Sequence, residues 1–310
     1  MSAFLKIKNL SHRYTGTWAI RDINIEIDRR GVIGLLGSNG AGKSTIMNII
    51  CGVLKQTEGE VYINEINIRK QPEQAKRLLG FLPQTPPLYL DFTVDEYLTY
   101  TAHLRFMPKD KVKASVNEAM EKCGIAHFRS RLIKNLSGGY RQRVGIAQAI
   151  IHKPELVILD EPTNGLDPNQ IIEARKLIRE IAADHTVLLS SHVLSEISIL
   201  CRDIIMIEGG RIVFSDSMDA FNNYAQPQSV LVRMENLPGE SDLLRIPGIT
   251  KVQFLADKQC RLYFDGSADI TESIIAASMN QHWRLKEISL EKSLLDDVFK
   301  QLSTQSLQTL

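Results

Sequence analysis

Short apolar runs and alternating stretches divide the chain into segments of different texture. "LKIKNL" (5–10), "INIEIDRR" (23–30) and "GVIGLL" (31–36) carry β-branched and alternating apolar residues and predict strands. A glycine-rich turn then leads into "IMNII" (46–50), which predicts a helix and completes a βα unit. From Thr85 to Asn135 the spacing lengthens: "VDEYLTYTAHLRF" and "KVKASVNEAMEKCGI" place apolar residues at helical intervals between Pro-containing loops, so a helical insertion is expected at about 85–135. Beyond it, "GGYRQRVGIAQAIIH" predicts a helix, "LVILD" a buried strand, "QIIEARKLIREIAA" an amphipathic helix and "TVLLSS" another buried strand. That alternation implies a parallel sheet covered by helices. After about Asn222, strands near "SVLVRM", "KVQFLA" and "CRLYF" and helices near "DITESIIAASMN" and "SLLDDVFKQL" predict a small α+β domain, with a ferredoxin-like βαββαβ order. The expected division is therefore 1–222 and 223–310, with no internal repeats or low-complexity segments.

Composition changes this picture little. The chain has 310 residues, 44% hydrophobic and 24% charged, enough for one large domain and one smaller one. Its net charge of +1 gives no reason to expect bulk attraction to nucleic acid or anionic lipid. No run of about 18 apolar residues occurs, and "MSAFLKIKNL" lacks the pattern of a secretory signal, so a chain that stays in the cytosol and spans no membrane unaided is expected. Cys51, Cys123, Cys201 and Cys260 lie far apart, which favours buried reduced thiols over disulfides or a zinc site.

The chemistry begins in the turn. Gly37, Ser38, Asn39, Gly40, Ala41, Gly42, Lys43 and Ser44 match the phosphate-cradling P-loop, and the flanking strand and helix supply its context. Glycines let successive N–H groups reach phosphate oxygens, and the helix start adds about half a positive charge. Lys43 is expected to reach the β- and γ-phosphates, Ser44 to ligate Mg²⁺ and Thr45 to donate to the α-phosphate. "LVILDE" provides the acids: Asp160 at the strand end faces Mg²⁺ through water, while Glu161 leaves on another side and can orient or deprotonate the attacking water. "LSGGYRQR" (136–143) offers a second set of free N–H groups at a helix start.

In this order the motifs resemble those of the ATP-binding subunits of ABC transporters, over roughly residues 3–220. The resemblance implies an α/β P-loop ATPase of the ABC type with an antiparallel β subdomain and the helical insertion, the small α+β domain being appended. It also implies residue roles. Tyr14 matches the aromatic residue stacked on adenine, Gln84 the glutamine that touches metal and water and links the site to the insertion, and His192 the histidine that bonds the γ-phosphate. Asp167 matches the loop joining two nucleotide sites. In this family two cassettes pack head to tail, so Ser137, Gly138 and Gly139 of one chain meet the γ-phosphate held by the other. ATP and Mg²⁺ are the implied cofactors, and a second ATP-binding subunit, identical or not, and a polytopic membrane permease the implied partners. The chain would then sit on the inner face of the cell membrane through that permease.

Two departures stand out. Tyr140 replaces the usual glutamine of the signature, and "NGLD" replaces the frequent "SALD", both leaving the backbone donors intact. The wording of "FLPQTPPLYLDFTVDEYL", "PTNGLDPNQ" and "ISLEKSLLDDVF" resembles exporter-type cassettes of the gliding-motility-associated and drug-resistance branches. The competing class is a soluble ATPase of the same type acting in translation or DNA repair. Such translation factors usually carry two cassettes, and the repair enzymes insert a long coiled coil; one cassette and no sustained heptads are found. The position of the C-terminal domain alone gives it a regulatory or dimer-stabilising role.

Overall fold

A computed structural model describes residues 3–224, 229–265 and 269–291. The chain divides between Met218 and Asp219 into two compact units. The first opens with β1 (Leu5–Tyr14), β2 (Thr17–Ile27), β3 (Gly31–Leu36) and α1 (Lys43–Ile50), then β4 (Glu58–Ile63), β5 (Ile66–Asn67), α2 (Pro72–Arg77) and β6 (Leu79–Leu82). The insertion holds α3 (Val94–Leu104) and α4 (Lys109–Lys122), after which come α5 (Gly138–Ile150), β7 (Leu156–Asp160), α6 (Pro168–Asp184) and β8 (Thr186–Ser191). α7 (Leu194–Leu200), β9 (Asp203–Glu208) and β10 (Arg211–Ser217) follow, and α8 (Met218–Tyr224) starts at the last residue of this unit before the division and continues into the second.

Two sheets share the first core. One is a four-stranded antiparallel sheet, β2-β1-β4-β5, and the other a six-stranded sheet in the order β10-β9-β3-β8-β7-β6. In the larger sheet every pairing is parallel except β10 with β9. Leu5 and Ile20 of the antiparallel sheet, Ile46 and Ile49 of α1, and Leu35, Ile158 and Leu188 of the parallel sheet belong to one apolar cluster. Such strands are buried on both faces, which is why β7 and β8 each carry a continuous apolar stretch, "LVIL" and "VLL", in sequence. α3 begins where Thr93 and Glu96 exchange the hydrogen bonds of a capping box.

The second unit runs β11 (Ser229–Met234), α9 (Glu240–Leu243), β12 (Ile249–Phe254), β13 (Gln259–Phe264), α10 (Ile270–Asn280) and β14 (Leu285–Glu291). Its antiparallel sheet has the order β12-β13-β11-β14, the ferredoxin-like arrangement. Val230, Val232, Leu262, Ile274 and Trp283 form its core. The helix expected near "SLLDDVFKQL" lies outside the described residues.

All four cysteines are free and buried. Burial pushes the Cys123 thiol up to about 12 and that of Cys260 up to about 11, so neither is a nucleophile at neutral pH. His152, just past α5, donates from Nε2 to Leu79 O at 2.9 Å, while its Nδ1 is buried without a partner. A second proton would sit there desolvated and near the Arg105 charge, which holds the pKa down at about 4. Between pH 6.5 and about 4 the unfolded chain therefore takes up a proton that the folded chain refuses. Stability falls as pH falls through that window and levels off below it, by about 3 kcal/mol in all. Urea unfolding should show a flatter pH dependence for His152→Gln, whose amide still donates to Leu79; equal slopes would rule this origin out.

Candidate functional site

Strand order brings the motifs together. β3, β8 and β7 are neighbours, with Leu36 opposite Ser191 and Asp160 opposite Ser190. The glycine turn after Leu36, Glu161 and His192 thus all leave the sheet at the carboxyl ends of adjacent parallel strands, where open α/β sheets bind ligands.

Within the turn, Gly40 and Gly42 have φ of 84° and 113°, which side chains disfavour. A Cβ on Gly37 would lie 2.3 Å from Ile207 O, whereas one on Gly40 would meet open space. Gly42 caps α1 without any side-chain acceptor, so the first N–H groups of that helix are free to receive an anion. Lys43, 5% exposed, donates from Nζ to Gly37 O at 2.8 Å and to Ser38 O at 3.0 Å. Burial lowers its pKa, and Glu161, Asp160 and Glu208 partly restore it. Ser38 Oγ donates to Glu208 Oε1 at 2.7 Å.

The two carboxylates part at the end of β7. Asp160, 3% exposed, accepts from Ser190 Oγ at 2.5 Å, and the same hydroxyl accepts the Glu161 N–H at 2.9 Å. Glu161 takes a positive φ of 47°. Its Oε2 accepts from Gln84 Nε2 at 3.1 Å and Asn164 Nδ2 at 3.3 Å, while Oε1 lies 3.2 Å from His192 Nδ1 and 3.8 Å from Lys43 Nζ. Donors from four separate places in the chain converge on one carboxylate.

Above this cluster opens a cleft of about 690 Å³, lined by Tyr14, Ala19, Asn39, Gly40, Gly42, Lys43, Ser44, Thr45, Gln84, Glu161, Asn164 and His192. Gly37, Ser38 and Ala41 support the loop from outside this lining, and Asp160 lies buried at the strand end. Ser137, Gly138, Gly139 and Asp167 are not part of the lining either. Ser137 precedes α5 with no side-chain cap bond, and Asp167 caps α6 by accepting from Gln170 N at 3.0 Å. For a cation, the Ser44 hydroxyl, the Gln84 amide oxygen and the Asp160 carboxylate are oxygen donors that suit Mg²⁺. Among the described residues no three His, Cys, Asp or Glu side chains gather as a metal cage. A cation here would take its remaining ligands from phosphate and water.

Sequence reasoning passed over Asn164, Ser190 and Glu208. Asn164 is signalled only by its place in "NGLD", and the other two act through strand neighbours that no local pattern reveals.

A phosphate loop with free amides, set beside a carboxylate aimed into the same cleft, is the construction of P-loop nucleoside triphosphatases. Comparison narrows that class. Residues 20–164 match the family model described as ABC transporter. The bacitracin transport ATP-binding protein BcrA of Bacillus licheniformis is 36% identical over 215 residues, 69% of each chain. The lantibiotic transport ATP-binding protein SrtF of Streptococcus pyogenes is 34% identical over 71% of this chain and 93% of its own. The linearmycin resistance ATP-binding protein LnrL of Bacillus subtilis aligns over 98% of this chain and 99% of its own, at 27% identity. Among solved structures, cbiO1 from Clostridium perfringens, part of the ABC transporter complex cbiONQ, matches with a TM-score of 0.66 and 29% identity over 72% of this chain and 92% of its own. A dimeric ATP-binding cassette in a post-hydrolysis state with ADP and Pi matches at a TM-score of 0.62 and 25% identity, over 69% and 98% of the two chains. The chain belongs to the ATP-binding subunits of ABC transporters, and it binds and hydrolyses ATP.

Because one hydroxyl serves both acids, Ser190→Ala should leave the Asp160 carboxylate and the Glu161 N–H without partners. A loss of about 1–3 kcal/mol is expected, read as a lower urea midpoint at unchanged slope; an unchanged midpoint would contradict the arrangement.

Proposed function

We propose that Mg²⁺ and ATP close a pair of these subunits, that hydrolysis assisted by Glu161 reopens it, and that the motion drives an exporter. The observation that carries this reading is the composition of the cleft. The P-loop, Gln84, Glu161 and His192 line it, whereas the signature residues Ser137, Gly138 and Gly139 lie outside it, with exposed donors at Ser137 and Gly138. A second chain, placed head to tail, would bring those donors to the γ-phosphate, and the likeness to a dimeric cassette supports it.

Each residue then has a task. Tyr14, 47% exposed at the cleft edge, stacks on adenine. The P-loop amides from Gly40 to Thr45 and the Lys43 ammonium hold the phosphates. Ser44, Gln84 and Asp160 would hold Mg²⁺, which would supply positive charge against the phosphates. Glu161 orients the attacking water and accepts its proton, His192 bonds the γ-phosphate, and Asp167 meets the partner subunit. The names of the relatives, for bacitracin and lantibiotic transport and for linearmycin resistance, support export over import. No described helix is long and apolar enough to cross a membrane, so a peripheral position on the inner membrane face would come through the permease.

The insertion offers a seat for that permease. A groove of about 520 Å³ is lined by Phe81, Pro87, Tyr97, Tyr100, Leu104 and Phe106 among others. Phe106 is 80% exposed and Leu104 58%, an unusual display of apolar surface, and Gln84 lies two residues beyond β6, whose Phe81 lines the same groove. A cytoplasmic helix of the permease seated there would feel the nucleotide state.

Replacing Glu161 by Gln should cut the hydrolysis rate by about 10²–10⁴ while ATP affinity stays nearly unchanged, and should trap an ATP-bound dimer in sedimentation. Full turnover by that variant would remove Glu161 from its role. Lys43→Ala should abolish tight ATP binding, measured by equilibrium dialysis. Leu104→Ser combined with Phe106→Ser should abolish transport without altering ATP binding; intact transport would move the permease contact elsewhere.

A further inference from the structure

Beyond the residues that line the cleft, one carboxylate joins two of the segments that carry them. Glu196 lies on α7, four residues past His192, and its side chain is 13% exposed. Its Oε2 accepts from Thr163 Oγ1 at 2.8 Å and from Ser191 Oγ at 3.0 Å. Its Oε1 faces Arg175 Nη2 of α6 at 3.9 Å, and the Nε of that arginine is buried without a hydrogen bond. Thr163 belongs to the segment that begins with Glu161 and ends with Asp167, whereas Ser191 immediately precedes His192.

We propose that Glu196 is a positioning residue that ties the Glu161–Asp167 segment to the His192 segment, setting the distance between them that hydrolysis requires. The two segments leave neighbouring strands, β7 and β8, and are stitched twice. Ser190 makes the first stitch at the strand ends by accepting the Glu161 N–H. Glu196 makes the second farther out, where the backbone has left the sheet and no strand pairing fixes it. Between the stitches, Glu161 Oε1 and His192 Nδ1 stand 3.2 Å apart. Displacing groups by about 1 Å can cost a rate factor near 10², so a link that holds both loops acts on turnover without touching nucleotide. Thr163 and Ser191 both donate to the same oxygen, so neither hydroxyl can shift without disturbing the other's partner. These two hydroxyls and Arg175 give the nearly buried carboxyl group its polar partners.

The inference rests on the roles assigned above to Glu161 and His192, so the test includes Glu161→Gln as a reference. In full-length protein, Glu196→Ala should lower kcat about 10- to 100-fold while the ATP dissociation constant, from equilibrium dialysis, changes by no more than about 2-fold. Glu196→Gln keeps a carbonyl acceptor for both hydroxyls and should recover most of the lost rate. Thr163→Val, which removes one donor at nearly constant shape, should lower kcat in the same sense. The double variant with Glu196→Ala should fall short of the product of the single effects. If Glu196→Ala does not fold, Thr163→Val alone decides, because its loss must appear in kcat and not in ATP affinity. The proposal is overturned by unaltered kcat in Thr163→Val or in folded Glu196→Ala, by a Gln variant no better than the Ala variant, or by parallel losses of kcat and ATP binding. Normal turnover in Glu161→Gln would instead bring down the site assignment itself, and so is separable from failure of the tie.

Discussion

The Lys43 ammonium is a cation buried at the end of a parallel sheet, and the rest of the site answers the need to stabilise it. Leaving water is unfavourable for any charge, and the lowered pKa shows that the surroundings do not fully offset the loss. Two loop carbonyls turn toward the amine, and three carboxylates contribute from a distance, with Glu161 the first of them. None of the carboxylates comes closer than the 3.8 Å of Glu161. The amides at the start of α1 are left free for an anion, and a triphosphate delivers both the charge and the oxygens that suit them.

The same reasoning explains the crowding around Glu161. Gln84, Asn164, His192 and Lys43 all point donors at its carboxylate, and all of them line the cleft. In the free protein the carboxylate takes the place of the strongest anion the cleft is shaped to receive. Its left-handed backbone belongs to the same crowding, because a non-glycine residue keeps such a conformation only when its surroundings impose it. Ser190 holds the Glu161 N–H, and Asn164 N returns to Glu161 O at 3.1 Å.

How far the sequence alone reaches depends on the range of each interaction. β3, β7 and β8 are legible because strands buried on both faces carry continuous apolar stretches, and the P-loop is legible because its glycines are demanded by the backbone itself. β9 carries the equally apolar "IIMI" yet stays unassigned, since so short a run does not distinguish a strand from a buried helix turn. β6, at four residues, is shorter still. Glu208 meets Ser38 across 170 residues only because β9 pairs beside β3, and strand order is not written in any local period. Ser190 and Asn164 are ordinary polar residues until register and a turn place them against the two acids. Tyr14 is different again, since its spacing says nothing and only the family resemblance singles it out, while the fold sets it in the lining of the cleft.

Tyr140, the departure within the signature, gains a reason from its neighbours. Its ring packs edge-on against Phe128 with centroids 4.6 Å apart, approaches His127 at 6.0 Å and lies under the Arg143 guanidinium at 5.9 Å. Phe128 and His127 belong to the short 3₁₀ turn Ala126–Phe128 that closes the insertion after α4. Where a glutamine would offer hydrogen bonds, this chain therefore fastens the start of α5 to the insertion through an aromatic cluster, and such contacts are specific in geometry as well as apolar. Ser137 and Gly138, both exposed, precede this anchor with only the buried Gly139 between.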